Sequence, residues 1–144
     1  MKYTGICAGH DGRLYCAPAN ASTVLVIEPG KQTLSFIEGA GSGGQKYRGI
    51  CAGPDGRLYC APFDASTMLV IDPEMRSLSF IAGAGSGGQK YSSICMAPHG
   101  GLYCAPYGAA SILLLRPFSE NVLWESVTAA GGRNFEQLIR ESVD

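Results

Sequence analysis

Two glycine-rich segments have the spacing G-x-G-x-x-G, which in some proteins holds a phosphate group. They span residues 39–44 and 83–88, and neither continues into the Gly-Lys-Ser/Thr ending of a P-loop. The motif binds pyrophosphate where it joins a strand to the N-terminus of a helix. Here a strand-like segment follows each copy, beginning at Tyr47 or Tyr91. We therefore interpret both segments as connections between β units, and we predict no cofactor.

The six cysteines fall into three pairs, with eight residues between the two members of each pair. The pairs are Cys7 with Cys16, Cys51 with Cys60, and Cys95 with Cys104. Structural zinc sites use cysteines two to four residues apart on a turn, so we predict no metal site. We interpret the thiols as free, small, buried hydrophobic groups. The alternative is a redox or metal-binding role for thiols stacked around an axis.

No pattern of titratable residues predicts a catalytic group. His10 and His99 occupy the same class of turn in different repeats, and a lone histidine in a turn is usually solvated. Asp11 and Asp55 occupy turn positions where a carboxylate accepts local backbone N–H bonds. We therefore favour a non-catalytic protein and leave open whether it is an enzyme.

The elements that position these residues belong to a repeat of 44 residues. Repeat one (2–45) and repeat two (46–89) differ at about a quarter of their positions, and repeat three (90–132) is a diverged copy. Strands are predicted in repeat two from Tyr47 to Ala52, Arg57 to Ala61, Thr67 to Ile71 and Ser77 to Ile81, because β-branched and aromatic residues alternate with Gly and Pro breaks. The third strands are continuous apolar runs, which predicts that both of their faces are covered.

The first turn of repeat two, Gly53-Pro54-Asp55-Gly56, predicts a strand register. Pro suits position i+1 of a type I turn and Gly56 the left-handed bulge position that follows. That loop places Cys51 opposite Tyr59 and Ile50 opposite Cys60, so the two cysteines of a unit lie diagonally and no disulfide within a unit is expected.

The link after the second strand changes between repeats while its flanks stay nearly constant. A variable loop on a rigid scaffold, and an exposed aromatic residue in it, are typical of binding sites. We also expect the Gln-Lys pairs that leave the glycine-rich segments to form a polar ring on the same face. The predicted ligand or partner residues are Asn20, Phe63, Asp64, Tyr107, Gln45, Lys46, Gln89 and Lys90.

The end of the chain, 133–144, differs from the repeats. Val122 to Val127 still predicts a strand. Asn134 is a suitable helix cap, and Phe135, Leu138 and Ile139 share one helical face. We predict a short amphipathic helix from Phe135 to Val143 that covers an exposed end of the repeat array, or else a frayed tail.

The run from "ICAGPDGRLYCAP" through "STMLVIDPE" to "LSFI" resembles a blade of the β-propeller repeat proteins, in the broad kelch, NHL and YncE-like sense. The resemblance implies an all-β fold of four-stranded antiparallel repeats, with ligand or partner sites on one face or in a central channel. Three blades do not close a propeller. We therefore expect a partial propeller or a homodimer of six blades, and the alternative fold is a β-trefoil.

The resemblance leaves several functions open. We favour a non-catalytic scaffold for ligand or protein binding. The alternatives are a propeller-type hydrolase of the lactonase kind, completed by other blades, and a sugar-binding trefoil module.

Composition and charge further limit the kinds of partner that we expect. The net charge of −1 and the absence of a basic run argue against nucleic acid, and no apolar run reaches the length that spans a bilayer. The N-terminus lacks the apolar region of a secretory signal, so we expect a cytoplasmic protein.

Overall fold

The computed structural model describes residues 1–117, 122–128 and 137–142. The first repeat forms β1 (Tyr3–Ala8), β2 (Leu14–Pro18), β3 (Thr23–Glu28) and β4 (Thr33–Glu38). The second forms β5 (Tyr47–Ala52), β6 (Leu58–Pro62), β7 (Thr67–Asp72) and β8 (Ser77–Ala82). The third forms β9 (Tyr91–Met96), β10 (Leu102–Pro106), β11 (Ser111–Arg116) and β12 (Val122–Thr128), and β13 (Gln137–Ser142) follows.

Each repeat folds into one antiparallel sheet whose strands are hydrogen-bonded in chain order, as the sequence predicts. We call the sheets blade 1, blade 2 and blade 3. The predicted boundaries in blade 2 are each within one residue of those observed. The agreement follows from the local turn chemistry, because every break carries Gly, Pro or Asp.

The predicted register of the first hairpin is confirmed. Cys51 lies opposite Tyr59 and Ile50 opposite Cys60. Gly56 has a φ of 83°, and Asp55 accepts a hydrogen bond from the backbone N–H of Arg57 at 3.2 Å. The turn therefore fixes which face of the sheet each thiol occupies.

The blades stack face to face, with the first strand of each nearest to a shared axis. Strands β1 and β5 contact each other, as do β5 and β9. Met68 and Leu69 are neighbours in β7 and both are fully buried, Leu69 in the core shared with blade 1 and Met68 in the core shared with blade 3. Both faces of blade 2 are thus covered, which explains the continuous apolar run.

The innermost strands approach closely because glycine occupies one repeated position. Gly49 sits at an irregularity in the register of β5 and has a φ of 77°. A Cβ atom at Gly49 would lie 2.9 Å from the Cα of Ser93, and one at Gly5 would lie 3.2 Å from the Cα of Gly49. Absence of a side chain at this position allows the strands around the axis to pack backbone to backbone.

Two expectations from the sequence are corrected. The trefoil alternative is wrong, because no described sheet combines strands of two repeats and no closed barrel is formed by the described strands. The predicted C-terminal helix is replaced over Gln137–Ser142 by strand β13, which pairs antiparallel with β12. An isolated helix of nine residues is marginal, whereas the open edge of β12 offers unpaired backbone groups. The rest of the predicted helix lies outside the described residues.

Candidate functional site

One face of the molecule carries the loops from β2 to β3 and from β4 to β5, with their equivalents in the later blades. We call it the junction face, because each loop pair meets where two blades stack. Gln45 and Gln89 adopt left-handed φ values of 48° and 53°. Their backbone N–H groups donate to the side chains of Asn20 and Asp64, each at 2.7 Å. These four predicted residues thus meet in two pairs, one at each junction, and each pair holds a glycine-rich loop against the preceding blade.

Two lysines of the predicted polar ring are buried inside the junctions. The ammonium group of Lys46 donates to the carbonyl oxygens of Ala19, Ala21 and Gly43 at 3.1, 2.6 and 3.2 Å. Burial lowers the pKa of Lys46. The three N–H donors of the ammonium group meet three carbonyl acceptors, so Lys46 ties blade 1 to blade 2.

Lys90 repeats the arrangement between blades 2 and 3. Its ammonium group donates to the carbonyl oxygens of Phe63 at 3.3 Å and Gly87 at 2.8 Å. Burial lowers its pKa, and the nearby Asp64 carboxylate acts in the opposite direction. The two lysines lie on the predicted face, with their charges directed at backbone oxygens.

An arginine stacks on two aromatic rings at the second junction. The guanidinium carbon of Arg48 lies 4.1 Å from the ring centroid of Phe63 and 5.9 Å from that of Tyr107. The two rings meet edge to face with centroids 5.4 Å apart. Tyr107 is 61% exposed, as expected of a contact residue, but Phe63 is 1% exposed and forms the floor of the cluster. We call Arg48, Phe63 and Tyr107 the cationic aromatic cluster.

The Arg48 guanidinium is half-buried, and no carboxylate among the described residues pairs with it. Arginine presents five N–H donors in a planar fork that matches carboxylate and phosphate groups. Stacking on Phe63 holds that fork in place without using its donors. The arrangement is therefore able to bind an anionic group.

Sequence reasoning missed Arg48, although a signal was present. The position holds Thr4 in repeat one and Ser92 in repeat three, while the tyrosine before it is constant. This is the same kind of variation that singled out Phe63 and Tyr107. The aromatic partners are 15 and 59 positions away in the chain, so only the stacking of blades shows that the three variable positions meet.

The opposite face contains a charged groove of about 530 Å³ between the turns of blades 1 and 2. Its lining residues are His10, Asp11, Arg13, Asp55, Gly56, Arg57, Asp72, Pro73 and Glu74. The arginines are paired within or beside the groove: Arg13 with Glu28 at 2.9 Å and Asp11 at 3.3 Å, and Arg57 with Asp72 at 3.8 Å. Both arginines of the groove are therefore paired with carboxylates of this chain.

In each blade, the turn between the first two strands carries a side chain that is hydrogen-bonded to the tyrosine four residues later. The Asp11 carboxylate accepts the Tyr15 hydroxyl at 2.6 Å. Burial alone would raise the pKa of Asp11, but the bonds from Tyr15 and Arg13 outweigh it and lower the pKa. Burial and the Asp11 bond raise the pKa of Tyr15 to about 12.

His99 replaces the aspartate of this turn in repeat three. Its Nδ1 accepts the backbone N–H of Gly101 at 3.2 Å, and its Nε2 lies 3.1 Å from the Tyr103 hydroxyl. The neutral ring that accepts at Nδ1 carries its proton on Nε2 and donates it to Tyr103. The histidine thus keeps the two partners of the aspartate, with the direction of the tyrosine bond reversed, and has a structural part in the turn.

The six cysteines are free, as the sequence predicts. Burial raises the pKa of Cys51 to about 11, and the neighbouring thiols Cys7 and Cys95 add to the effect. A thiol with a raised pKa is a poor nucleophile and a poor metal ligand. Within the described ranges, no three His, Cys, Asp or Glu side chains are placed to hold a metal ion.

None of the described residues forms a helix long and apolar enough to cross a membrane. No protein-family model matches the sequence, and no curated protein is significantly similar to it.

Solved structures do match the fold. The chain is similar to virginiamycin B lyase from Staphylococcus aureus, with a TM-score of 0.67 and 11% identity over 97% of this chain and 56% of that one. It is similar to hydrazine synthase from Kuenenia stuttgartiensis, with a TM-score of 0.57 and 16% identity over 96% and 49%. It is also similar to the extracellular domain of BT4673 from B. thetaiotaomicron, with a TM-score of 0.62 and 12% identity over 96% of this chain and 23% of that one.

The chain spans about half the length of the first two of these proteins. At such identities the likeness concerns the fold alone. Stacked four-stranded antiparallel sheets, with their first strands around one axis, agree with that likeness. By its fold, the chain is a propeller-type repeat protein.

Proposed function

We propose that this protein is a non-catalytic binding scaffold, and that the cationic aromatic cluster binds an anionic group of its ligand. The observation that carries the proposal is the Arg48 guanidinium, which is fixed by stacking and has no carboxylate partner among the described residues. A charged group that is held in place without a counter-ion from the protein supports binding of a counter-ion that belongs to a ligand.

The surroundings of Arg48 support a ligand that is partly apolar. Tyr107 presents an exposed ring beside the guanidinium, and Phe63 supports both from below. Tyrosine and arginine are enriched in binding sites, because each offers a large contact surface together with a polar group. A carboxylate attached to an aromatic or aliphatic body fits this combination.

The other predicted residues contribute as a frame. Asn20 and Asp64 fix the glycine-rich loops, and Lys46 and Lys90 fix the blades beneath them. Rigid support lowers the entropy lost when a ligand binds. We therefore assign direct ligand contact to Arg48 and Tyr107, and positioning to the other residues.

The competing proposal is an enzyme completed by further blades, because one similar protein is a lyase and the chain spans about half of it. Copurification of Ca²⁺ or Zn²⁺ with the protein, without added metal, would favour that alternative.

Benzoate is a suitable probe for the binding proposal, with benzyl alcohol as its uncharged match. The readout is the ¹H–¹⁵N signal of the Arg48 side chain during a titration. A probe of this size, held by one charged contact, is expected to bind with a Kd on the order of 1 mM. We expect a saturable shift with benzoate and none with benzyl alcohol.

Two variants test the assignment through the ring signals of Tyr107. In Arg48→Gln the benzoate-induced shift of Tyr107 should disappear. In Arg57→Gln, which removes a guanidinium from the opposite face, the shift should be unchanged. Equal shifts with the acid and the alcohol, or a shift that survives Arg48→Gln, would refute anion binding at this cluster.

A further inference from the structure

The two ends of the blade array expose the two halves of an interface that the chain already contains. Blade 2 packs one face on blade 1 and the other on blade 3. We call the face of a blade that is directed at the preceding blade its leading face, and the face that is directed at the next blade its trailing face. No strand among the described residues packs on the leading face of blade 1 or on the trailing face of blade 3.

The leading face of blade 1 has the residues of a buried interface. Ile6 is the equivalent of Ile50; Ile6 is 57% exposed, whereas Ile50 is 9% exposed in the junction between blades 1 and 2. Leu25 is the equivalent of Leu69, which is fully buried, and Leu25 is half-buried. A contiguous apolar sheet face of this kind is rare on a protein that stays alone in water.

The trailing face of blade 3 has the complementary residues. Ala105 is exposed, whereas its equivalent Ala61 is fully buried between blades 2 and 3. Tyr103 is half-buried, whereas Tyr59 is 2% exposed. Two of the positions that join blade 2 to blade 3, those of Ala61 and Tyr59, are therefore accessible on blade 3 for contact with a leading face.

The polar groups at the two open faces are also equivalents of groups that form hydrogen bonds in the existing junctions. Lys2 is the equivalent of the buried Lys46 and Lys90, but its side chain is exposed. The carbonyl groups that receive Lys46 belong to Ala19 and Ala21. Tyr107 and Ala109 hold those positions in repeat three.

We propose that a second copy of this chain occupies both open faces, so that two chains form a closed ring of six blades. The leading face of blade 1 in each copy packs on the trailing face of blade 3 in the other, with Lys2 directed at the Tyr107 and Ala109 carbonyls. A twofold axis relates the two contacts, so the ring closes without a free face. One copy covers 49% of the hydrazine synthase chain and 56% of the lyase chain, so two copies together have about the length of either.

Light scattering coupled to size exclusion, at several concentrations under reducing conditions, measures the mass. One chain is 15.1 kDa, so the ring is expected at about 30 kDa. A 15.1 kDa species at every concentration would overturn the proposal, and the open faces would then belong to blades of another chain. Growth beyond two copies with concentration would equally overturn it.

Two variants separate this head-to-tail ring from other dimers. Ile6→Asp alters the leading face and Ala105→Glu the trailing face, and both positions are exposed in one copy, so the chain should still fold. Each variant alone should be a monomer. A dimer that survives Ala105→Glu but not Ile6→Asp would join two leading faces and refute the ring.

The matched control is Met75→Asp, in an exposed turn of blade 2 that belongs to neither open face. It should keep the mass of about 30 kDa. An equimolar mixture of the Ile6→Asp and Ala105→Glu chains retains one intact pair of faces and should regain a concentration-dependent dimer. A chain that carries both substitutions should remain a monomer.

Discussion

Replacement of Lys46 by methionine tests whether a buried ammonium group holds two blades together. Lys46→Met keeps the length of the side chain and removes the donors that reach Ala19, Ala21 and Gly43. A hydrogen bond from a charged donor contributes about 1.5–3 kcal/mol, so three give roughly 5–9 kcal/mol before costs. Desolvation of the ammonium offsets several kcal/mol of this. We expect a net loss of about 2–3 kcal/mol in the free energy of unfolding.

Urea unfolding, followed by circular dichroism and by tyrosine fluorescence at one fixed protein concentration, measures the change. Lys31→Met is the matched control, because the Lys31 side chain is 76% exposed and lies 3.8 Å from Glu28. A weak surface pair of this kind contributes about 0–1 kcal/mol. If Lys46→Met is as stable as Lys31→Met, the ammonium does not tie the blades and the reasoning fails.

Two further predictions concern backbone packing and alkaline stability. Gly49→Ala should destabilise the protein by about 1–3 kcal/mol more than Gly12→Ala. Both glycines have a φ near 80°, but only at Gly49 would the added Cβ meet a backbone atom, the Cα of Ser93 at 2.9 Å. Equal melting temperatures of the two variants would contradict this. The pKa of Tyr15 in the folded state, about 12, lies above its ordinary value of 10.0. The stability that the protonated hydroxyl contributes is therefore complete below pH 10 and is lost as the pH rises towards 12. Tyr15→Phe should reduce the fall in stability over that range, and an unchanged pH profile would refute it.

The strands and their register were predictable because their causes are local. The Pro-Asp-Gly turn alone places Cys51 opposite Tyr59, and the structure confirms the pairing. The face on which the predicted residues gather was also predictable, since the repeat places equivalent loops at equivalent ends of the strands. These features depend on residues a few positions apart.

The roles of individual side chains were not predictable, because they depend on contacts between blades. Lys46 follows a glycine-rich loop, and its sequence position predicts only a polar ring, yet its ammonium group donates to two carbonyls more than twenty positions away. Phe63 reads as an exposed loop residue, but Arg48 covers it. At the C-terminus the helical spacing was misleading, because the vacant edge of β12 offers more hydrogen bonds than one short helix.

The bonds of Lys46 also bear on the order in which the chain folds. The bonds from Lys46 to Ala21 and Ala19 join residues that are 25 and 27 positions apart, and the bond from Lys90 to Phe63 again spans 27 positions. Junctions closed over such short separations form quickly, because little loop entropy is lost. Folding then resembles zipping along a line, as in other repeat proteins, in which each finished sheet gives the next one a surface. A break within one repeat would leave the blades before it able to fold.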